Sequence, residues 1–436
     1  MKTPIGSAHP RRYGATRVVG ALCLAAVLLL ARAPSASAQV RGLPTAGATA
    51  ILDKVLRLQN VASVLMIGAH PDDEDSWFIA RLARGDHARV GYLSLTRGEG
   101  GQNNVGAELF EALGVIRTEE LLQARALDGG EQLFGREFDF GFSKTAEEAS
   151  RMWGDREVLA DLVRAIRMFR PLVVYSVFRG TPADGHGHHQ LSGKLARVAF
   201  HAAADPTQYP DQLQEGLRPW QARKLYVGTG FGIFGTGVGA TTKVRLGQVD
   251  PLLGRTYAEV AMEGRSQHRS QRAGMPELRG QLSTSLALVE PPPAAGAVES
   301  SVFDGVDTSL TAVPGIAGLP PSALGPELGV IQQAVSAVVS SFDPVAPERS
   351  IPALASVVSR IRNARDAVGR LAGVPASARA EAEFLLEEKE HDAVLAMEAA
   401  AGVVVEALAQ SETVTDGDTL TTTVRTYVAQ PDLVRI

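Results

Sequence analysis

From residue 61 onward, short apolar runs alternate with longer amphipathic stretches, and this is the most regular pattern in the chain. The runs at 61–68, 90–95, 172–178 and 225–227 are dense in β-branched and other apolar residues, which predicts strands. Between them, residues 108–127 and 158–169 repeat apolar positions at helical spacing. Residues 48–58 do the same through Ile51, Val55 and Leu58, and 257–271 reads as a closing helix. Strands that alternate with helices predict an α/β fold with a mostly parallel sheet and helices on both faces.

The pattern changes after Gln281. Pro291, Pro292 and Pro293 open a Pro/Ala stretch that holds no regular element, so 282–328 reads as a linker or surface excursion. Residues 329–341, 351–371 and 376–408 return to helical spacing and define a helical region over 329–410. Thr/Val alternation at 419–428 gives residues 411–436 a β character. A lone strand pair is only marginally stable, so this tail also reads as the start of a truncated β domain. No internal repeat is present.

The first 38 residues read as a signal peptide, with the α/β unit predicted over 39–281. Lys2, Arg11, Arg12 and Arg17 precede the apolar stretch 18–31, and Ala36-Ser37-Ala38 fits a cleavage site. The stretch falls short of the ~20 residues a spanning helix needs, so export without a retained anchor is expected, to the periplasm or beyond. Arg11-Arg12 leaves a twin-arginine route open beside the general one. Cys23, the only cysteine, lies inside this segment. The mature chain would then have no disulfide, thiolate ligand or cysteine nucleophile, and any metal would fall to His, Asp and Glu.

At 436 residues there is room for two or three domains. A 45% hydrophobic and 21% charged composition with net charge −5 is that of an ordinary globular protein and excludes a basic nucleic-acid binder.

Two polar clusters fall where predicted strands end, which is where open α/β sheets keep their chemistry. Ala69-His70-Pro71-Asp72-Asp73-Glu74-Asp75 follows the first run, and Asp184-Gly185-His186-Gly187-His188-His189 follows the 172–178 run. Four of the nine histidines are in these loops, whereas His87 and His201 are near them in sequence only. Oxygen and imidazole donors on two such loops suggest a zinc hydrolase, which needs about three protein ligands and an open position. His70 and Asp73 are spaced to aim at one ion, and a third ligand must come from elsewhere. His186 and His189 share that spacing at a predicted helix start. Asp72 is placed to accept a proton from the attacking water. His186, if not a ligand, would face the scissile carbonyl or the leaving amine. Simpler readings stand beside these. Residues 72–75 would cap a helix, and 186–189 would form a solvated loop. Calcium fits less well, because the twelve-residue loop pattern is missing.

The segment 69–74 resembles the first metal motif of the PIG-L/LmbE-like zinc-dependent de-N-acetylases, and 186–189 resembles their second. The resemblance covers roughly 63–271 and includes Asp250-Pro-Leu-Leu-Gly and the 265–271 run, as in larger exported bacterial members. It implies a Rossmann-like fold and one Zn2+ per site. By this resemblance His70, Asp73 and His189 would be ligands, Asp72 the general base and His186 the electrostatic or acid partner. The run 95–103 resembles the family's glycine-rich loop and 113–121 its arginine-bearing helix, which makes Arg97, Asn103 and Arg117 substrate-binding candidates. For Arg117 the alternative is a surface arginine paired with Glu120 one turn on. Small intracellular members often have Asp before the third ligand and Tyr two residues before the assisting histidine, where this chain has His188 and Asp184.

These readings predict an exported zinc deacetylase that acts on an N-acetylated amino sugar such as N-acetylglucosamine, free or within a glycan or glycolipid. Two alternatives remain open: an amidohydrolase for another N-acyl or carbamoyl small molecule, and a non-catalytic secreted carbohydrate-binding protein. Neither a nucleic-acid partner nor a stable membrane span is expected, and the sequence leaves the oligomeric state open.

Overall fold

In a computed structural model of the chain, which describes residues 47–434 apart from 231, 272, 273, 275, 295 and 412, the four predicted strands join three that the pattern did not mark, at 131–134, 242–245 and 283–290, in one seven-stranded sheet. β1 (Ser63–Gly68), β2 (Arg89–Ser94), β3 (Glu131–Phe134), β4 (Val173–Ser176) and β5 (Lys224–Gly228) run parallel in the order β3-β2-β1-β4-β5. β6 (Thr242–Arg245) and the short pair β7 (Val249–Asp250) and β8 (Arg255–Thr256) follow. β9 (Ser283–Glu290) then inserts antiparallel between β5 and β6. The fold is α/β and Rossmann-like, and its strand order reverses between β1 and β4.

Strands buried on both faces are hydrophobic throughout, and β1 shows why. Val64 and Met66 point into one core and Leu65 and Ile67 into the other. α1 (Ala48–Arg57) precedes the sheet. α2 (Ser76–Ala80) and α3 (Glu111–Asp128) contribute Phe78 and Leu121 to the Val64 side. α4 (Ala146–Trp153), α5 (Asp155–Phe169) and α6 (Gly187–Ala202) contribute Trp153, Leu162 and Leu195 to the Leu65 side. After α7 (Pro210–Gln214), α8 (Tyr257–Arg265) returns to the first face with Ala258 and Met262.

A third core lies among α9 (Val313–Ala317), α10 (Gly325–Ser341), α11 (Ile351–Gly369) and α12 (Ala376–Ala401). Ile51, Val55 and Leu58 of the first helix belong to it, so the start and the end of the described chain share one core. The described residues, within 47–434, form a single unit. Arg170, held at φ 55 at the end of α5, reaches back to a buried ion pair with Glu381 of α12 and lies 4.6 Å from the Trp220 ring.

The structure departs from the sequence reading in several places, and the expected linker also carries the buried residues Val302, Leu310, Leu319 and Leu324. Residues 283–290, expected in a linker, form a strand whose Thr284 and Leu286 are buried. The 376–408 helix stops at Ala401, because Gly402 adopts a left-handed φ of 64 that ends it. The β-branched residues beyond it form β10 (Val403–Ala409), which pairs antiparallel with β11 (Thr422–Val428). The closing helix ends at Arg265, and a separate turn covers Arg269–Gln271. The predicted signal peptide lies outside the described residues. Among the described residues no helix is long and apolar enough to cross a membrane.

Candidate metal centre

Both polar clusters leave the carboxyl ends of β1 and β4, the two strands between which the order reverses. A crevice opens at such a switch point, and ligands bind there in open α/β sheets. The crevice brings together residues more than a hundred positions apart. His70 Nδ1 lies 3.2 Å from His189 Nε2, and the Asp73 carboxylate spans the pair, with Oδ2 3.2 Å from His70 Nδ1 and Oδ1 3.2 Å from His189 Nε2. A tetrahedral ion with bonds of about 2.0–2.1 Å requires donor atoms about 3.3–3.4 Å apart, so this triangle fits one ion and leaves a face open. Two imidazoles and a carboxylate suit zinc and similar divalent ions.

A second donor set, His70, His186 and His188, shares one ligand with the first. His70 Nε2 and His188 Nδ1 are only 2.8 Å apart, which is a hydrogen bond rather than two ligands on one ion. The set of His70, Asp73 and His189 is therefore the candidate centre.

Local structure fixes each donor. Asp73 Oδ2 accepts from the backbone N–H groups of Ala69 at 2.9 Å and His70 at 2.7 Å, which folds the loop back on itself. Burial would raise the Asp73 carboxyl, but His189 and His70 hold it well below the usual carboxylate range. The Tyr92 hydroxyl donates to the His70 carbonyl at 2.6 Å. The ring of His189 stacks on Phe178 at 4.0 Å, and its Nδ1 is 3.2 Å from the Asp184 carbonyl. That bond places the proton on Nδ1 and frees Nε2 as a donor to a metal.

Asp72 holds a positive φ of 96, a region that disfavours side chains bearing a Cβ. Three groups secure it. Glu74 Oε2 accepts from the Asp72 N–H at 2.9 Å, Arg265 donates to the Asp72 carbonyl at 2.9 Å, and Arg117 bonds the Asp72 carboxylate at 3.2 Å. Burial and the neighbouring Asp73 raise the Asp72 carboxyl against the pull of Arg117. Strain of this kind persists only where the surroundings over-determine it, and it gathers at functional sites.

Arg117 is not a surface residue. It is buried, donates to the carbonyls of Pro71 and Gly98, and approaches Gly98 so closely that a Cβ there would meet its guanidinium. Glu120 instead accepts from Ser270, so the Arg117–Glu120 pairing does not form. Arg97 and Asn103 make local contacts. Arg97 donates to Thr118 and covers Phe134, while Asn103 ties its own loop to Val105, Gly106 and Glu108. Asp184 caps the 182–184 turn by accepting from Thr181 and Arg179.

His186 is the N-cap of α6. Its Nδ1 accepts from the His188 N–H and lies 3.2 Å from the Ser143 hydroxyl. Burial, and then the nearby His70 and His189, lower its pKa to about 4, so the ring is neutral near pH 7. Its ring lies 4.9 Å from Phe142 and 5.0 Å from His70.

Sequence reasoning did not find the layer beneath. Glu74, Arg125, Asp128 and His268 are buried together, with His268 Nε2 2.7 Å from Glu74 and Arg125 2.6 Å from Asp128. Burial opposes ionisation of Glu74, yet His268 and Arg125 hold it below the ordinary carboxylate range. His188 was legible as one of the loop histidines but carried no role, and Arg265 and His268 lay in the 265–271 run without a contact that the sequence could assign.

A mostly parallel sheet that carries a His/Asp/His donor set at its switch point defines an α/β protein with a candidate metal centre. Residues 65–200, from β1 into α6, match the family model PIG-L, GlcNAc-PI de-N-acetylase. The chain is 29% identical over 183 residues to a mycothiol S-conjugate amidase of Streptomyces coelicolor, covering 38% of this chain and 61% of that protein. It is 33% identical over 180 residues to a 1D-myo-inositol 2-acetamido-2-deoxy-alpha-D-glucopyranoside deacetylase of Geodermatophilus obscurus, covering 37% and 60%. The chain thus spans about three-fifths of the length of these curated relatives. An N,N'-diacetylchitobiose deacetylase structure from Pyrococcus horikoshii aligns with 52% of this chain and 83% of its own, at 18% identity and TM-score 0.40.

Proposed function

We propose that the chain is an exported, metal-dependent deacetylase that removes the acetyl group from an N-acetylated amino sugar such as N-acetylglucosamine, free or in a glycan or glycolipid. The observation that carries this reading is the triangle of His70, Asp73 and His189, with Asp72 beside it. The names of both curated relatives, an amidase and a sugar deacetylase, support amide hydrolysis. Zinc held by the three donors would supply Lewis acidity and a water poised to react near neutral pH.

The chain's own residues divide the remaining work. Asp72 accepts a proton from water as it adds to the acetamide carbonyl, and Arg117 orients that carboxylate. Neutral His186 donates a hydrogen bond through Nε2 to the oxygen on which charge develops. The C–N bond then breaks, the sugar nitrogen takes up a proton, and acetate and a free amine leave. Cleavage of another N-acyl group by the same residues is the second reading, favoured by the S-conjugate amidase relative.

Acetate release from N-acetylglucosamine and its oligomers, measured with and without a chelator, tests the proposal. Release that chelation abolishes and zinc restores is expected. Zinc binding without release from any amino sugar would overturn it. In that case, turnover of other N-acyl compounds would point to the second reading, and no turnover at all would point to a carbohydrate-binding protein.

A further inference from the structure

The ring of His188 is fully buried, stacked on Trp153 at 4.0 Å and edge-on to Phe140 at 4.4 Å. An apolar side chain would fill such a slot without leaving a polar atom uncompensated, yet the Nε2 of His188 has no hydrogen-bond partner there. Its Nδ1 makes the ring's one short contact, 2.8 Å to His70 Nε2. Asp139, the nearest carboxylate to that atom, is 3.9 Å away and already accepts from the Gly141 N–H.

Given the metal centre proposed above, on which this inference rests, we infer that His188 is the residue that positions His70, by accepting the proton of His70 Nε2 and so keeping His70 Nδ1 as the electron pair that faces Asp73 and His189. The direction of this bond follows from chemistry. A neutral imidazole that presents a lone pair at Nδ1 carries its proton on Nε2. His70 Nε2–H is then the donor and His188 Nδ1 the acceptor, and the His188 proton rests on the unpartnered Nε2. The partner to a ligand imidazole fixes its tautomer and ring orientation, and its loss typically weakens metal binding 10–100-fold. Here the partner is a second neutral imidazole rather than a carboxylate or a carbonyl.

Three variants separate positioning from packing. His188→Leu fills the slot but accepts nothing. His188→Asn sets an amide oxygen near the place of Nδ1, and His188→Gln sets its polar group near the place of Nε2. Zinc affinity is measured by competition with a chromophoric chelator and needs no substrate. The expected result is that His188→Leu and His188→Gln bind zinc about 10–100-fold more weakly and that His188→Asn stays within a few-fold of the parent. Zinc affinity unchanged in His188→Leu, or lost as fully in His188→Asn as in His188→Leu, would overturn the inference. Nitrogen-15 spectra of the zinc-loaded parent should show His188 protonated on Nε2, and protonation on Nδ1 would overturn it as well. Failure of the parent chain to bind zinc would instead sink the metal centre itself.

Discussion

Two networks of buried charge lie at opposite ends of the sheet and differ in what they hold. At the switch point, Glu74, His268, Arg125 and Asp128 bear on the backbone of Asp72, whose φ of 96 is unfavourable for a side chain with a Cβ. At the other end, Arg170 pairs with Glu381, while Lys389 bonds Asp392 and the Arg57 carbonyl. The second set fastens α12 and α1 to the base of the sheet, and among the described residues no donor triangle lies beside it. Buried charge alone therefore does not mark a reactive site. What sets the candidate site apart is a strained backbone held in place next to convergent ligand atoms.

The largest effect should come from the structural network. Glu381→Ala leaves Arg170 buried without its carboxylate, and breaking such a pair typically costs about 3–5 kcal/mol. Denaturant unfolding should show that loss, while zinc content and turnover, assayed where the variant is folded, stay at parent levels. A parallel fall in turnover would erase the distinction between the two ends.

Asp72→Asn is the matching change at the switch point. Asparagine tolerates a positive φ and retains a group that Arg117 can bond, so folding and zinc binding should persist. Turnover should fall by about 10² or more, the usual scale for loss of a general base. Activity near the parent level would remove Asp72 from that role.

Glu137 sharpens the contrast as a carboxylate that belongs to neither network. It is 8% exposed, and its Oε1 has no hydrogen-bond partner. Burial, followed by the nearby Asp161, raises its pKa to about 7. Below about pH 4.5 the group is protonated in both the folded and the unfolded chain. Between there and pH 7 the unfolded chain ionises first, so the group's contribution to stability is lost as pH rises. Glu137→Gln should unfold at a higher temperature than the parent at pH 8 and at the same temperature at pH 4. Equal melting at both values would show that the carboxylate is already accommodated.

How much of this could be read in the sequence depended on how far each signal reaches. Runs such as 61–68 announce a strand because buried parallel strands are apolar on both faces, and His70 and Asp73 stand directly after one. β9 was hidden because Ser283, Thr284 and Ser285 lower the apolar content of its start and three prolines follow its end. The end of α12 was marked by Gly402 before three valines, a stop followed by a strand that helical spacing alone does not register. Arg265 and His268 reach the 70–75 loop from about 190 residues away, and only tertiary structure creates that contact. Arg97 and Asn103 were placed in a loop by pattern alone, and the structure adds their local contacts to Thr118 and Glu108.

The smallest effect isolates the strained backbone from the charge it carries. Asp72→Ala and Asp72→Gly both remove the carboxylate, leave Arg117 with the Pro71 and Gly98 carbonyls, and should lose turnover alike. They differ only in whether a Cβ must occupy a φ of 96. Holding a non-glycine residue in such a conformation costs on the order of 1–2 kcal/mol, and part of this is offset by the greater freedom glycine has in the unfolded chain. Asp72→Gly should therefore be more stable than Asp72→Ala by about 1 kcal/mol in denaturant unfolding. An alanine variant as stable as the glycine variant would mean that the loop relaxes once the side chain is gone. The Glu74 and Arg265 contacts would then follow the conformation of Asp72 rather than impose it, and the two ends of the sheet would differ less than their geometry implies.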